Sequence, residues 1–161
     1  MKLLVVPVTP CQQNCSVLVC EETLGAAVVD PGGDLDRIDA ALAAQGARLE
    51  KVLLTHGHID HFGGLMRVIA EAPQAEGGLH RLAKPVLVSY DERVLITRTA
   101  MEDFLGRAGV PEERRADLLE MYMLGKREFK PVPVDFTVGD GDVIDGTFRV
   151  FHVPGHAPGL I

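Results

Sequence analysis

The sequence predicts an α/β protein (α+β in some schemes) in which helices pack outside sheets. Two kinds of segment alternate along the chain: short apolar runs typical of strands, and longer segments with apolar residues at helical spacing. The composition is that of a globular domain, with 47% hydrophobic and 24% charged residues among 161. We therefore expect one domain over residues 1–161, long enough to bury a sizeable core.

The first half of the chain supplies most of the predicted sheet. Its apolar runs predict strands at 2–8, 14–20, 25–30 and 51–55. Short connections between the first three favour an antiparallel meander, and the last strand is nearly all apolar, which is typical of a strand covered on both faces. The spacing of Leu35, Ile38 and Leu42 predicts a helix over 35–45, which Gly46 would end.

The second half is predicted to be richer in helix. Phe62, Leu65, Met66 and Ile69 follow the i, i+3, i+4, i+7 pattern of a helix with one buried stripe, whereas residues 73–84 have the composition of a loop. The remaining segments predict strands at 85–89, 134–138, 142–144 and 147–153, and helices at 91–107 and 111–124.

The composition argues against several classes of partner and location. The formal net charge is −7 and no basic cluster offsets it, so we expect no nucleic-acid partner. No apolar run approaches the roughly 18 residues of a membrane-spanning helix, so we expect no membrane partner. The number of cysteines is odd (Cys11, Cys15 and Cys20), and we identify no secretory segment in the sequence. Both observations favour reduced thiols and a cytoplasmic location. They could supply metal thiolates, but the apolar run around the last two favours buried structural thiols.

The strongest functional signal is LLTHGHIDHFGG at 53–64, which contains three of the six histidines. His56 and His58 are separated by one glycine, so in an extended or turning loop their imidazoles can point the same way. Asp60 and His61 form a second pair, with mixed oxygen and nitrogen ligands. Because imidazole and carboxylate are zinc ligands, the loop predicts a metal site more strongly than an ordinary polar loop before a helix.

A metal site at this loop needs a further ligand, and the best remote candidate is His156. It lies in HVPGHAPG, where prolines and glycines frame a turn at a predicted strand end. His152 is expected within that strand, as a packed or exposed side chain. His80 has no ligand-type neighbours in its predicted loop and is expected at the surface.

Together, these motifs resemble the metallo-β-lactamase-fold hydrolases, and most closely their glyoxalase II-like branch. THGHIDHFGG, the upstream DPGGD and the downstream VPGHAPG occur in the family order, and QNCSVLVCEETLGAAVVDPGGD is similar to that branch's N-terminal hairpin. The resemblance spans residues 12–160 and implies an αββα sandwich with the metal site at one edge of its two sheets. It also implies a metallohydrolase that attacks an acyl carbonyl of a small molecule, a thioester such as hydroxyacylglutathione being favoured over a lactone or ester.

The resemblance assigns roles to individual residues. The positions matching the family's metal ligands are His56, His58, Asp60, His61 and His156. The two THGH histidines and the remote one would hold a first ion, and Asp60 and His61 would contribute to a second. Asp60 could also act catalytically by orienting the attacking water or taking its proton, while Asp30 of the DPG turn would orient the site without binding metal. The expected cofactor is one or two zinc ions, with iron or manganese as alternatives.

One departure from the family pattern is the long segment between His61 and His156. We interpret about 90–130 as a helical insertion that acts as a lid or as a homodimer contact. Its aromatic residues could line an acyl pocket, although at such spacing they are more often helix core: Tyr90, Phe104, Tyr122 and Phe129.

A second departure is that the family pattern continues past the PGH turn with a bridging aspartate and a last histidine, whereas this sequence ends at Ile161. We expect either a part of a longer protein, its second sheet lacking its C-terminal strands, or a short variant completed by another subunit. Three functions stay open: the metallohydrolase, a mononuclear iron enzyme that oxidises a persulfide, and a metal-binding module without activity.

Overall fold

A computed structural model describes residues 1–123 and 131–161 and, within them, every side chain except those of Asp91 and Arg93. The strands are β1 (Lys2–Val8), β2 (Gln13–Val19), β3 (Gly25–Val29), β4 (Arg48–Leu54), β5 (Glu76–His80), β6 (Phe136–Val138), β7 (Val143–Ile144) and β8 (Phe148–Arg149). The helices are α1 (Leu35–Ala44), α2 (Ile59–Phe62), α3 (Leu65–Glu71), α4 (Lys84–Val88), α5 (Tyr90–Arg107) and α6 (Glu112–Met123).

Six strands form one mixed sheet in the order β1-β2-β3-β4-β5-β6. The first three pair antiparallel, which confirms the predicted meander, and β3 to β6 pair parallel. Parallel neighbours need crossover connections, and the helices form them: α1 joins β3 to β4, α2 and α3 join β4 to β5, and α4 to α6 join β5 to β6. Strands β7 and β8 make a separate antiparallel pair.

The mixed sheet is covered on both faces around the end of β4, as the apolar run at 51–55 predicts, whereas Leu3 and Val5 of β1 are exposed. One face packs against α1, α3 and α4 through buried residues that include Leu35, Val68 and Leu87. On the other face, Leu53 and Val138 pack against Ile144 and Val150 of the small sheet and its flank. The layers are therefore helices, a six-stranded sheet and a two-stranded sheet, as an α/β class requires.

Helices α5 and α6 occupy the segment interpreted as an insertion. They pack against each other around the buried side chains of Leu105, Leu119 and Met123. Tyr90 and Val94 on α5 join this pair to the main core. None of the described helices is both long and apolar enough to cross a bilayer. Phe129 lies outside the described residues.

Two predicted segments are wrong. Residues 73–84 contain strand β5, a central parallel strand, where we predicted a loop. Its Gly77 and Gly78 give no apolar pattern, yet an added Cβ at Gly78 would lie 2.2 Å from the Phe136 ring, so close packing requires glycine there. The predicted strand at 85–89 overlaps the one-turn helix α4, which has proline in its first turn, and a short apolar run cannot distinguish the two.

Smaller differences concern single residues. Strand β8 ends at Arg149, so the predicted strand over 147–153 is wrong in its second half and His152 lies beyond it. Met66, predicted in a buried stripe, is 38% exposed, whereas Phe62 and Leu65 of the same stripe are buried.

Candidate metal centre

The candidate site lies at the carboxyl ends of strands β3 and β4, where parallel strands of an open sheet commonly place ligands. Asp30 follows β3 and Thr55 follows β4, and the Asp30 backbone N–H donates to the Leu53 oxygen at 2.9 Å. Residues 56–62, here called the histidine loop, continue from this edge into α2. His58 caps that helix in an extended conformation, and the buried Phe62 anchors the loop in the core.

The remote histidine reaches this edge through a closed turn. Val153 N–H donates to the Leu160 oxygen at 2.9 Å, which closes the turn that contains His156. Ile161 N–H then donates to the Thr55 oxygen at 3.0 Å, directly beside the histidine loop. These bonds fix the His156 ring with its centroid 5.0 Å from that of His56 and 4.5 Å from that of His58.

The structure brings His56, His58 and His156 together so that one ring nitrogen from each lies within 4.8 Å of the others. The His56 Nε2 and His58 Nδ1 atoms are 3.0 Å apart. Two nitrogens, each about 2.1 Å from one tetrahedral zinc, would be separated by roughly 3.4 Å, so the spacing of this pair is close to that of two ligands of such an ion. His56 is buried while the other two rings are exposed, which leaves one side of the group open to water and substrate.

A hydrogen-bond relay sets the tautomer of His56. The Thr55 hydroxyl donates to Asp30 Oδ2 at 2.7 Å, so its oxygen is available to accept a hydrogen bond from His56 Nδ1 at 3.0 Å. The His56 proton therefore resides on Nδ1, and the lone pair of Nε2 points into the histidine group. Orientation of a ligating imidazole by a polar chain that ends on a carboxylate is typical of metal sites.

Asp30 also orients His61, on the neighbouring side of the loop. His61 Nδ1 lies 2.9 Å from Asp30 Oδ2, and because a carboxylate can only accept, this nitrogen carries the proton. His61 Nε2 then faces Asp60 Oδ2 at 3.6 Å, which is too long for a hydrogen bond. A nitrogen and an oxygen lone pair at this separation suit the two-ligand contribution expected of Asp60 and His61.

The pKa values of the buried His56 and the half-buried His61 shift in opposite directions. Burial lowers the pKa of His56 to about 4, and the neighbouring His61 and His58 act in the same direction, so His56 is neutral at pH 7. Burial also lowers the pKa of His61, but the hydrogen bond to Asp30 and the charges of Asp30 and Asp60 outweigh it, and this pKa ends above its usual value. A metal ion at His61 would therefore compete with a proton.

Glycines let the DPGG turn approach the histidine loop backbone to backbone. An added Cβ at Gly32 would lie 1.6 Å from the Asp60 carbonyl oxygen, and one at Gly64 would lie 2.5 Å from the Pro31 oxygen. Gly64 N–H donates to that same oxygen at 2.9 Å. The DPGG turn and the segment that follows the histidine loop are thus closely packed, which explains the glycines at 32, 63 and 64.

A cavity of about 370 Å³ opens beside the histidine group. His58 and Asp60 line one part of it, and Val86 of α4 lines another. The two long helices contribute Tyr90, Val94 and Thr97 of α5 and Tyr122 of α6, and the described wall is completed by Gly57, Ile59 and Phe62. Two of the four aromatics predicted for an acyl pocket therefore line a cavity, whereas Phe104 is 55% exposed and is not part of its described lining.

Sequence reasoning missed two residues that contact the site, Thr55 and Gln13. Thr55 is the first letter of THGH, and its place before a ligand-type histidine is the only sequence signal for its role. Gln13 is buried, with Nε2 3.5 Å from His61 Nδ1 and 2.8 Å from the Asn14 oxygen. No sequence pattern that we identified marks this residue.

The prediction for His80 is wrong. It is 4% exposed at the end of β5, where the Leu82 N–H donates to its Nδ1, and its ring stacks on His152 with centroids 4.2 Å apart. His152 Nε2 donates to the Pro158 oxygen at 2.7 Å, so this histidine contacts the turn that contains His156.

The cysteine prediction holds for one residue in full. Cys15 is buried, and burial raises its thiol pKa to about 12, so it is an inert core side chain. Cys20 is partly buried and Cys11 is exposed. Within the part of the chain that the structure describes, no cysteine joins the histidine group.

Comparison with known proteins agrees with this geometry. Hydroxyacylglutathione hydrolase GloC of Haemophilus influenzae is 29% identical over 164 aligned positions, which cover 100% of this chain and 65% of that protein. The crystal structure of BLEG-1 B3 metallo-beta-lactamase superposes with a TM-score of 0.70 at 24% identity, covering 99% of this chain and 65% of that one. TTHA1623 in a di-iron-bound form gives 0.64 at 26% identity, covering 98% and 64%.

The chain thus spans slightly less than two thirds of the length of these relatives. The superpositions confirm the predicted α/β fold, that of the metallo-β-lactamases, with its mixed sheet of six strands. A family profile described as the Metallo-beta-lactamase superfamily matches residues 8–161, almost the whole sequence. The chain therefore belongs to the metallo-beta-lactamase superfamily.

Proposed function

We propose that this chain is the metal-binding part of a hydrolase that attacks the acyl carbonyl of a small molecule, with a thioester as the favoured substrate. The convergence of His56, His58 and His156 beside an open cavity carries the proposal. Three imidazoles that leave one side open match the ligand number of a catalytic rather than a structural zinc site.

The chain's own residues would share the work as follows. Zinc, when bound, supplies a Lewis acid that lowers the pKa of water to about 7 and polarises a carbonyl. His56, fixed by Thr55, presents a lone pair without a proton to lose at neutral pH. Asp60 lines the cavity, and its carboxylate lies 3.6 Å from His61 Nε2, where it can orient the attacking water or accept its proton. In a thioester, addition of water would break the C–S bond and release a carboxylic acid and a thiol.

The substrate class rests on the relatives as well as on the site. GloC is named a hydroxyacylglutathione hydrolase, which makes an acylglutathione the first thioester to try. The di-iron form of TTHA1623 keeps iron among the candidate metals, with manganese as a further alternative and with one or two ions per chain. The second candidate function is that of a mononuclear iron enzyme that oxidises a persulfide, for which the histidine group would supply the iron ligands.

Three variants test the proposal in the purified full-length protein. We expect His58→Ala to lose bound metal and more than roughly 100-fold of thioester hydrolysis, since loss of a mere orienting partner already costs 10–100-fold. Asp60→Ala should lose activity while the three histidines retain one ion. Asp36→Ala, which removes an exposed carboxylate paired with Arg67, should behave as wild type.

The alternatives give different results in the same assays. Full hydrolysis by the metal-depleted protein would contradict the proposal. Iron on metal analysis, together with oxygen consumption on glutathione persulfide, would favour the persulfide enzyme. One ion per chain with no turnover of thioester, lactone or ester would favour an inactive metal-binding module.

For partners and location, the proposal extends the sequence-based expectations. We propose a cytoplasmic protein without nucleic-acid or membrane partners, in keeping with its three free thiols and its net charge of −7. Pairing of two copies through α5 and α6 has support in the exposed apolar side chains of Leu95, Ile96 and Met121. A single-copy mass by light scattering at micromolar concentration would contradict such pairing.

A further inference from the structure

Helices α5 and α6 form part of the wall of the cavity that opens beside the histidine group. On α5, Tyr90, Val94 and Thr97 follow at i, i+4 and i+7, so one helix face contributes all three to the lining. The Tyr90 ring meets the Phe62 ring edge to face at 5.9 Å, which places this end of α5 against the histidine loop. Thr97 lies two turns further on, about 10 Å along the axis.

The chemistry of the wall restricts what the cavity can take. Its described lining contains one carboxylate, Asp60, and no lysine or arginine. Val86, Val94 and Phe62 make much of the remaining surface apolar. At a distance from the metal site, a carboxylate or phosphate on a ligand would therefore be removed from water without a cationic partner among the described residues, which is unfavourable.

The location of the cavity relates it to the bond that reacts. His58 and Asp60 line the same cavity as Thr97, so a carbonyl next to the histidine group would direct one of its two substituents toward α5. A cavity of about 370 Å³ is at the lower end of the range for small-molecule pockets. It suits a single short chain more than a whole glutathione conjugate.

Resting on the proposed function, we infer that this cavity binds the uncharged acyl chain of the substrate, and that Thr97 limits the length of chain accepted. The charged remainder of a conjugate such as acylglutathione then lies outside it. Selectivity among acyl groups is then set by residues of α5, and substitutions there change the selectivity without removing a metal ligand.

Substitutions at Thr97 test the inference, with Thr99 as the matched control. Thr99 is on the same helix but is exposed, and its hydroxyl donates to the Leu95 oxygen outside the cavity. Thr97→Leu adds bulk to the wall, Thr97→Ala removes it, and Thr99→Leu makes the same change on the solvent side. The measured quantity is the ratio of kcat/KM for octanoyl and acetyl thioesters of N-acetylcysteamine with zinc-loaded protein.

We expect Thr97→Leu to lower the octanoyl to acetyl ratio about tenfold, the effect of a methylene-sized change in a pocket, and Thr97→Ala to raise it. Thr99→Leu should keep the wild-type ratio. In the wild type, an adipoyl thioester, which ends in a carboxylate, should react at least tenfold more slowly than the hexanoyl thioester. Equal ratios in the two leucine variants, or equal rates for hexanoyl and adipoyl, would overturn the inference while leaving the hydrolase proposal intact.

A binding measurement separates this inference from the proposed function. If the zinc-loaded wild type hydrolyses no thioester, the proposed function is wrong, and calorimetry with a hexyl ketone analogue, in which CH₂ replaces the thioester sulfur, decides about the cavity. Binding to wild type and Thr99→Leu that weakens about tenfold in Thr97→Leu supports the inference. Absence of binding, or equal binding to all three, overturns it.

Discussion

Replacing Asp30 by asparagine should weaken zinc binding at the candidate metal site and lower the stability of the fold. Asp30 is 4% exposed and accepts three hydrogen bonds: from the Thr55 backbone N–H at 2.7 Å, from the Thr55 hydroxyl at 2.7 Å and from His61 Nδ1 at 2.9 Å. Asparagine has the same shape, but one of the two oxygens becomes an NH₂ group that can only donate. The donors that bond to one of the two carboxylate oxygens must therefore lose their acceptor.

Neither orientation of the amide restores the native arrangement. If the NH₂ faces the Thr55 backbone, two buried donors oppose each other. If it faces the Thr55 hydroxyl and His61, the hydroxyl must turn to accept, and its proton then points at Nδ1 of His56. Both imidazoles would have to move their protons to Nε2, where a lone pair is needed for a metal.

The magnitude follows from the number and type of bonds lost. A hydrogen bond to a charged group contributes about 1.5–3 kcal/mol, and at least one of three is lost, so the free energy of unfolding in chelator should fall by about that amount. Loss of the partner that orients a ligating histidine typically weakens metal affinity 10–100-fold, which we expect for zinc here.

Two measurements check Asp30→Asn. Urea unfolding in chelator gives the stability term, and competition with a zinc indicator gives the dissociation constant. Asp36→Asn is the matched control, because Asp36 is on the exposed surface of α1, paired with Arg67, and a surface change of this kind stays within about 0.5 kcal/mol. A zinc affinity of Asp30→Asn equal to that of the control would refute the relay argument.

Three further predictions concern the supports of the site. Gly32→Ala forces a Cβ against the backbone of the histidine loop and should cost more than about 3 kcal/mol of stability by urea unfolding, whereas Gly33→Ala, which meets a methyl group at 3.2 Å, should cost less than about 1 kcal/mol. In chelator, His56 should contribute a loss of stability as the pH drops from 6.5 to about 4, because the unfolded chain binds a proton that the buried His56 does not. The raised pKa of His61 acts in the opposite direction, so the measured quantity is the difference between wild type and His56→Gln. The variant should lose less stability than wild type towards pH 4, and parallel curves would contradict this. His152→Phe keeps the ring that stacks on His80 but removes the hydrogen bond to the Pro158 oxygen in the turn that contains His156. Zinc affinity should therefore fall several-fold at unchanged stability in chelator. Unchanged zinc affinity would show that this hydrogen bond is dispensable.

The sequence was sufficient for the parts of the fold that short-range patterns encode. The strands of the meander and helix α1 lie within one residue of the predicted bounds because apolar periodicity and turn residues mark them locally. Strand β5 was missed because its glycines are explained only by the Phe136 ring, which comes 58 residues after Gly78 in the chain. The identity of a central strand thus depended on a contact that no local window contains.

The same division applies to the candidate site. His56, His58, Asp60 and His61 lie in one motif, so their proximity is a local property of a strand end and a short helix. His80 was misjudged because its environment is the His152 ring, which comes from the other end of the chain. The relay through Thr55 was equally invisible, since it depends on β3 and β4 being neighbours with a particular register.

The contacts of the histidine loop and of the cavity wall indicate which substitutions could change the substrate that such a protein accepts. The histidine loop is held by backbone contact with the DPGG turn at Gly32, so substitutions there disturb the metal ligands directly. Thr97 is half-buried on α5, and none of the atoms nearest to the Gly32 position belongs to it. A substitution at Thr97 would change the cavity wall without altering the contact between the DPGG turn and the histidine loop. Under the proposed function, chemistry and selectivity are therefore expected in different segments, and substitutions in α5 should change the preferred substrate without loss of metal.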